Sequence, residues 1–190
     1  SEWGASEQKS RSNWKQKEEQ KLEELINLAK TGNKEAFTNL ILENKRELYN
    51  IARAKLHSEN DIEDAVQETV IKAYIKLKSL KDNSKFKYWL FKILINECNK
   101  IYRQRKVQEI SIDSLEETIA NSESNYDKEF KEIMGLLNDE EKILITLFYS
   151  NGYKLKEIYQ ILRKNENTVK TKLRRIKEKL KVKLENRKEG

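Results

Sequence analysis

Lys154 to Lys179 reads KLKEIYQILRKNENTVKTKLRRIKEK, and its spacing splits it into a short amphipathic segment, a polar break and a longer basic segment. Ile158, Ile161 and Leu162 share one face of the first; Val169, Leu173 and Ile176 share one face of the second, at helical spacing. This is the layout of a helix-turn-helix, with helices predicted over Leu155 to Leu162 and Glu166 to Leu184, and such a unit offers the start of its second helix to the major groove. A plain two-helix hairpin accounts for the apolar spacing equally well. Charge tips the balance toward DNA: Thr168 to Gly190 carries ten Lys/Arg against three acids, a net +7 equal to that of the whole chain. The stripe runs on through Leu180 and Leu184 with basic residues around it, a footprint for phosphate backbone; a solvated lysine-rich end is the plainer alternative.

Outward from this unit the chain reads as helices separated by polar breaks, an all-α protein. Helices are expected near Lys128 to Leu137 and over Asp139 to Ser150, the second capped by Asn138 or Asp139 and stopped by Asn151-Gly152;. Upstream, Val107 to Asp127 holds six acids and no Lys or Arg and reads as a flexible acidic linker over residues 107–127. Before it, residues 15–106 make a helical bundle. Leu22, Leu25, Ile26 and Ala29 share a face up to the break Thr31-Gly32-Asn33, and a second helix runs from about Lys34 to Leu56. A third opens at Asp61 and closes near Leu80; a fourth carries Phe86, Trp89, Leu90, Ile93, Leu94 and Ile101 and ends at Arg103 to Lys106;. The first 14 residues lack periodicity and read as a disordered tail or an expression remnant. Two small helical domains result, 15–106 and 128–190.

Composition narrows the function. With 190 residues, 37% charged, no proline, one cysteine (Cys98) and one histidine (His57), the chain offers no internal disulfide and almost nothing for a Cys/His zinc site or for His-based catalysis. No metal, no cofactor and no enzymatic activity are expected. No run approaches the roughly 18 apolar residues that span a bilayer, and the start has no secretion-signal pattern. The expected location is the cytoplasm, without direct membrane insertion.

Two stretches carry a family pattern. Asp61-Ile62-Glu63-Asp64-Ala65-Val66-Gln67-Glu68-Thr69 resembles the acidic D-x-E-D-x-x-Q-E helix of sigma factor region 2, and Phe86 to Asn96, FKYWLFKILIN, resembles its F-x-x-W-L-x-x-I-x-x-N segment. Leu137 to Glu141, with Glu157-Ile158 and Thr168 to Leu173, resembles region 4, whose pattern is E-I-A-x-x-L followed by G-T-V-K-S-R-L. The order, with no domain between, resembles the extracytoplasmic-function (ECF) sigma factors over roughly Lys21 to Leu184. Two positions depart from the pattern. Lys164 stands where the turn usually has an apolar residue, and Asn167 where glycine is common; asparagine tolerates a left-handed conformation better than most.

The resemblance implies a promoter-specificity factor for bacterial RNA polymerase core, working through three surfaces. Asp61, Asp64 and Glu68, at i, i+3 and i+7 with Gln67 beside them, would dock on the coiled coil of the polymerase clamp; by spacing alone they could equally be a solvated helix face. Lys72 to Lys106 holds eleven Lys/Arg and two acids interleaved with Phe86, Tyr88, Trp89 and Tyr102, the mixture that binds unstacked single strands. There the loop Lys81, Asp82, Asn83, Ser84 and Lys85 would cradle a base flipped from the minus-ten element, with Tyr88, Trp89, Asn96 and Asn99 contributing stacking and amide hydrogen bonds. Trp89 at helical spacing with Leu90 and Ile93 also suits the core, and Asn96 could be an ordinary surface amide. In region 4, Asn165 and Thr168 at the helix start, with Lys170, Thr171, Arg174 and Arg175 opposite the apolar stripe, would read the minus-thirty-five element. Lys172, Lys177 and Lys179 would add salt-sensitive phosphate contacts. The acidic linker would thread a basic polymerase channel or act as a solubilising tether. Family analogy adds an anti-sigma partner, often membrane-anchored. The alternative is a stand-alone helix-turn-helix regulator whose N-terminal bundle dimerises or senses a ligand; it binds duplex tightly without polymerase.

Overall fold

The computed structural model describes residues 2–111 and 134–186, with side chains over 16–107 and 134–182. Among the described residues there are seven α-helices and no strand: α1 (Glu2–Lys30), α2 (Lys34–Lys55), α3 (Glu59–Lys76), α4 (Phe86–Ser111), α5 (Asp139–Ile145), α6 (Leu155–Leu162) and α7 (Glu166–Asn186). Local chemistry sets the boundaries. Gly32, at φ +98°, makes the reversal between α1 and α2, a conformation that Cβ-bearing residues resist, and Asn33 then caps α2 by accepting from the Ala36 N–H at 3.0 Å. At α5, Asn138 accepts from the Glu141 N–H while the Glu141 carboxylate accepts from the Asn138 N–H, a reciprocal capping box. A single wide π turn, Thr146–Ser150, closes α5, and Gly152 at φ +70° redirects the chain into α6.

Three boundaries differ from those expected. α3 begins at Glu59, not Asp61, because Ser58 supplies the cap. α4 runs five residues past Lys106 to Ser111, so the acidic segment begins as helix; the rest of that segment, and most of the helix expected over 128–137, lie outside the described residues. α1 starts at Glu2, where composition alone suggested an irregular tail.

Side chains of α1 to α4 meet in a core that includes Ile26, Leu40, Leu48, Ile51, Phe86, Leu90, Phe91 and Leu94, each with no exposed surface. Each such side chain contributes about 1.5–3 kcal/mol, against 0–1 kcal/mol for an exposed ion pair, so apolar packing holds the bundle. The C-terminal helices bury Leu144, Leu147, Ile158, Ile161, Val169 and Ile176. These belong to the same continuous cluster as the N-terminal core. The two halves are therefore docked on one another, α2 and α4 against α5, the π turn and α6.

Candidate nucleic-acid interface

On α3, Asp64, Gln67 and Glu68 are exposed, whereas Asp61 is only 6% exposed. The Arg105 guanidinium grips Asp61 with two nitrogens, Nη2 to Oδ1 at 2.6 Å and Nε to Oδ2 at 3.1 Å. The hydrogen bond to Asp61 and its charge raise the guanidinium's pKa above its already high ordinary value. Asp61 thus ties the start of α3 to the end of α4 and is not part of the outward acidic face that its spacing suggested. As the third residue of α3, Asp61 lies against α4, where the long basic side chain of Arg105 reaches back to it.

The loop between α3 and α4 is held from below. Asp82 accepts from the N–H and the hydroxyl of Ser84 at 3.0 and 2.6 Å, and these bonds, the hydroxyl first, lower its carboxyl pKa. Asn83 is fully engaged by α1: its carbonyl accepts from Lys30 Nζ at 2.6 Å and its amide donates to Glu23 and Asn27. Its side chain positions the loop and is not presented to a base. Lys81 is exposed. Trp89 is half-buried with its ring tilted on Phe86, centroids 6.0 Å apart, so its indole belongs partly to the core.

The remaining residues of this surface face the C-terminal half. Lys85 reaches Gln160 at 3.1 Å and lies 5.5 Å from the Tyr88 ring. The Tyr88 hydroxyl donates to Glu157 at 3.2 Å; burial, then the Glu157 charge, raises its pKa. Asn96 and Asn99 line a cavity between the halves.

In the helix-turn-helix, α6 is closed by the cap residue Arg163, whose φ of +50° and ψ of +40° place the left-handed residue there. Asn167 lies within the first turn of α7 and carries no such conformation. Lys164 is exposed, 3.8 Å from Glu140, so a charge in the turn is accommodated outward. Asn165 caps α7, accepting from the N–H and hydroxyl of Thr168, both at 2.8 Å. Lys170 pairs with Glu166, and Arg174 stands 3.8 Å from Glu178. Thr171 is half-buried, and Lys170, Arg174 and Arg175 are exposed on the side away from Val169, Leu173 and Ile176. Lys172 bonds Glu140 and Lys179 bonds Glu141, so both brace α7 on α5.

The sequence models for "Sigma-70 region 2" and "Sigma-70, region 4" match residues 40–107 and 127–180. SigM of Bacillus subtilis, an ECF RNA polymerase sigma factor, is 32% identical over 127 residues, 63% of this chain and 77% of SigM. The chain belongs to the ECF RNA polymerase sigma factors. SigV of the same organism is 28% identical over 153 residues, 80% of this sigma factor and 92% of SigV. Among solved structures, the sigma factor RpoE in complex with the anti-sigma factor NepR from Bartonella quintana shares 26% identity and a TM-score of 0.67, covering 78% of this chain and 96% of RpoE. CnrH in complex with the cytosolic domain of CnrY shares the fold at a TM-score of 0.67 and 24% identity, over 85% of this chain and 96% of CnrH.

Sequence reasoning missed the residues that dock the two halves of this sigma factor. Glu47 on α2 accepts from Lys87 at 3.0 Å and from the Tyr153 hydroxyl; burial, then Glu47, raises the Tyr153 pKa. Lys55 pairs with Asp139 at 2.9 Å, and Asn50 donates to Asn151 at 3.2 Å. Glu47, Asn50 and Lys55 sit among ordinary surface-type residues of an amphipathic helix. Their one sequence signal is Lys55, placed between Ala54 and Leu56, which are both buried.

Proposed function

We propose that this sigma factor brings RNA polymerase core to promoters carrying minus-ten and minus-thirty-five elements and promotes melting at the first. The observation that carries the reading is the conjunction of region 2 and region 4 in one chain, with an outward acidic set on α3 and an outward cationic face on α7. Asp64, Gln67 and Glu68 meet basic residues of the polymerase clamp. Lys81, Lys85, Tyr88, Asn96 and Asn99 meet the melted minus-ten strand on the geometry set by Asp82, Asn83, Ser84 and Trp89. Lys170, Thr171, Arg174 and Arg175 read the minus-thirty-five duplex, with Asn165 and Thr168 shaping the helix start that approaches the phosphates. The protein performs no covalent chemistry of its own and acts in the cytoplasm, with an anti-sigma partner; none of the described helices is long and apolar enough to cross a membrane.

Function requires the docked halves to separate. Elements centred near minus ten and minus thirty-five lie about 25 base pairs apart, roughly 85 Å of duplex at about 3.4 Å per pair. Tyr88 and Lys85 touch α6 directly, so the docked arrangement cannot contact both elements at once. It is the form without promoter. The test is gel filtration with purified bacterial core polymerase. Wild-type protein co-elutes, whereas Asp64→Arg/Glu68→Arg runs alone while keeping its native circular dichroism. Tight, specific duplex binding without core, together with failure to co-elute, would support the stand-alone regulator instead.

A further inference from the structure

Between the docked halves lies a cavity of about 350 Å³, part of whose rim, Asn96 and Asn99, belongs to the proposed minus-ten surface. Its walls come from both halves: Lys55, Lys92, Ile95, Asn96 and Asn99 on α2 and α4, and residues of α5, α6, the turn and α7 opposite them. The lining is polarised. Ile95, Leu144, Ile161, Leu162 and Val169 supply an aliphatic floor, and Lys55, Lys92, Arg163, Lys164 and Lys172 supply five cations.

The positive charge is only partly balanced, by the lining carboxylate Glu140 and by Asp139 beside it. Lys55 is matched by Asp139, and Lys164 and Lys172 share Glu140, which leaves three charges in excess. Lys92 and Arg163 line the cavity from opposite halves, near enough for the Arg163 charge to act on Lys92. Desolvation, then the Arg163 charge, lowers the Lys92 pKa. Arg163 is exposed and Lys92 half-buried, so water screens their repulsion in part, and an anion placed between them would relieve the rest. The side chains of Asn96 and Asn99 add amide donors at the same rim. The volume lies at the small end of ligand sites, and an aliphatic wall with a few convergent polar groups is how such sites are built.

We propose that this cavity binds a small amphipathic organic anion, a carboxylate or phosphate monoester with an aliphatic body. Its charged end is held by Lys92, Arg163 and Asn96, and its body lies on Ile95, Ile161 and Val169. The lining contains no aromatic face for a base to stack on, which favours an aliphatic over a nucleotide ligand. Because both halves contribute walls, the site exists only while they are docked, and its ligand shifts the protein toward that form. The site stands on this geometry alone, whatever the promoter.

The experiment is a ¹⁵N,¹³C NMR titration of the full chain with octanoate, with octanol as the uncharged match and with inorganic phosphate as the bare anion. Octanoate is expected to shift the side-chain amides of Asn96 and Asn99 and the methyls of Ile95 and Ile161, and to bind at least tenfold more tightly than octanol or phosphate. Lys92→Glu/Arg163→Glu should weaken it at least tenfold and the milder Lys92→Gln by a few-fold, with amide dispersion unchanged. Lys34→Glu, on the exposed start of α2, should leave it unaltered. Glu47→Lys, which lines no part of the cavity but undoes the docking contacts, should abolish it. Phosphate binding as tightly as octanoate would overturn the amphipathic ligand, and octanoate binding indifferent to Lys92 and Arg163 would overturn the site.

Discussion

Replacing Asp139 by alanine removes the anion from a nearly enclosed ion pair, and the structure fixes how much that should matter. Lys55 Nζ lies 2.9 Å from Asp139, with side-chain exposures of 9% and 27%. Breaking a fully buried pair from one side costs about 3–5 kcal/mol, and an exposed pair 0–1 kcal/mol. Here water reaches part of the pair, and the ammonium keeps the Tyr102 ring 4.2 Å away, worth about 0.5–2 kcal/mol. A loss of about 2 kcal/mol follows, or roughly 4–8 °C in melting temperature for a chain of this size. Asp139 also sits in the first turn of α5, where its charge favours the helix dipole by about 0.3–1 kcal/mol. A double-mutant cycle with Lys55→Met cancels that part and should leave a coupling of about 1.5 kcal/mol. Since the pair joins the two halves, the same loss favours separation, and the apparent affinity for core polymerase should rise by up to about 30-fold. Thermal denaturation and core titration by fluorescence anisotropy read both effects. A coupling under about 0.3 kcal/mol, or weaker core binding by Asp139→Ala, would refute the reasoning.

The other expectations concern separate elements. Asp61→Asn should lower the melting temperature through its lost grip on Arg105, while Asp64→Arg/Glu68→Arg melts like wild type and loses core binding; calorimetry beside co-elution distinguishes them. Arg163→Gly should stabilise the protein by up to about 1 kcal/mol, since a left-handed side chain costs about 1–2 kcal/mol and glycine returns part of that as entropy; a lower melting temperature contradicts it. Burial pushes the Cys98 thiol up to about 12 from 9.0 and holds the Tyr88 and Tyr153 phenols above 10.0. Raised folded values give stability that is whole below the unfolded values and lost as pH rises through the folded ones. Urea denaturation should therefore be flat up to about pH 9 and weaken above it, with Tyr153→Phe reducing the alkaline decline. Arg175→Ala should lower the slope of log affinity against log salt by about one for promoter duplex bound to holoenzyme; an unchanged slope places Arg175 off the DNA.

Much of the fold was legible because helix periodicity and capping chemistry are local. Leu155 to Leu162 was read to the residue, Asn138 and Gly152 behave as their types predict, and Val169, Leu173 and Ile176 of the α7 stripe are buried. What escaped depends on partners distant in sequence. Asp61 was read as outward because nothing near it reveals Arg105, 44 positions on. Asn83 looked like a loop amide free for a base, yet three residues of α1 consume its hydrogen bonds. The left-handed position went to Asn167 on residue type, while the residue that caps α6, Arg163, adopts it instead. Above all, the docking of the halves through Glu47 and Lys55 is a tertiary arrangement that periodicity does not encode.

Run-off transcription by purified core polymerase on a library of AT-rich genomic fragments bears most directly on the central claim. Discrete transcripts that require the wild-type protein and disappear with Asp64→Arg/Glu68→Arg are the predicted result. The same transcripts with the variant, or none beyond core alone with the wild type, would contradict it.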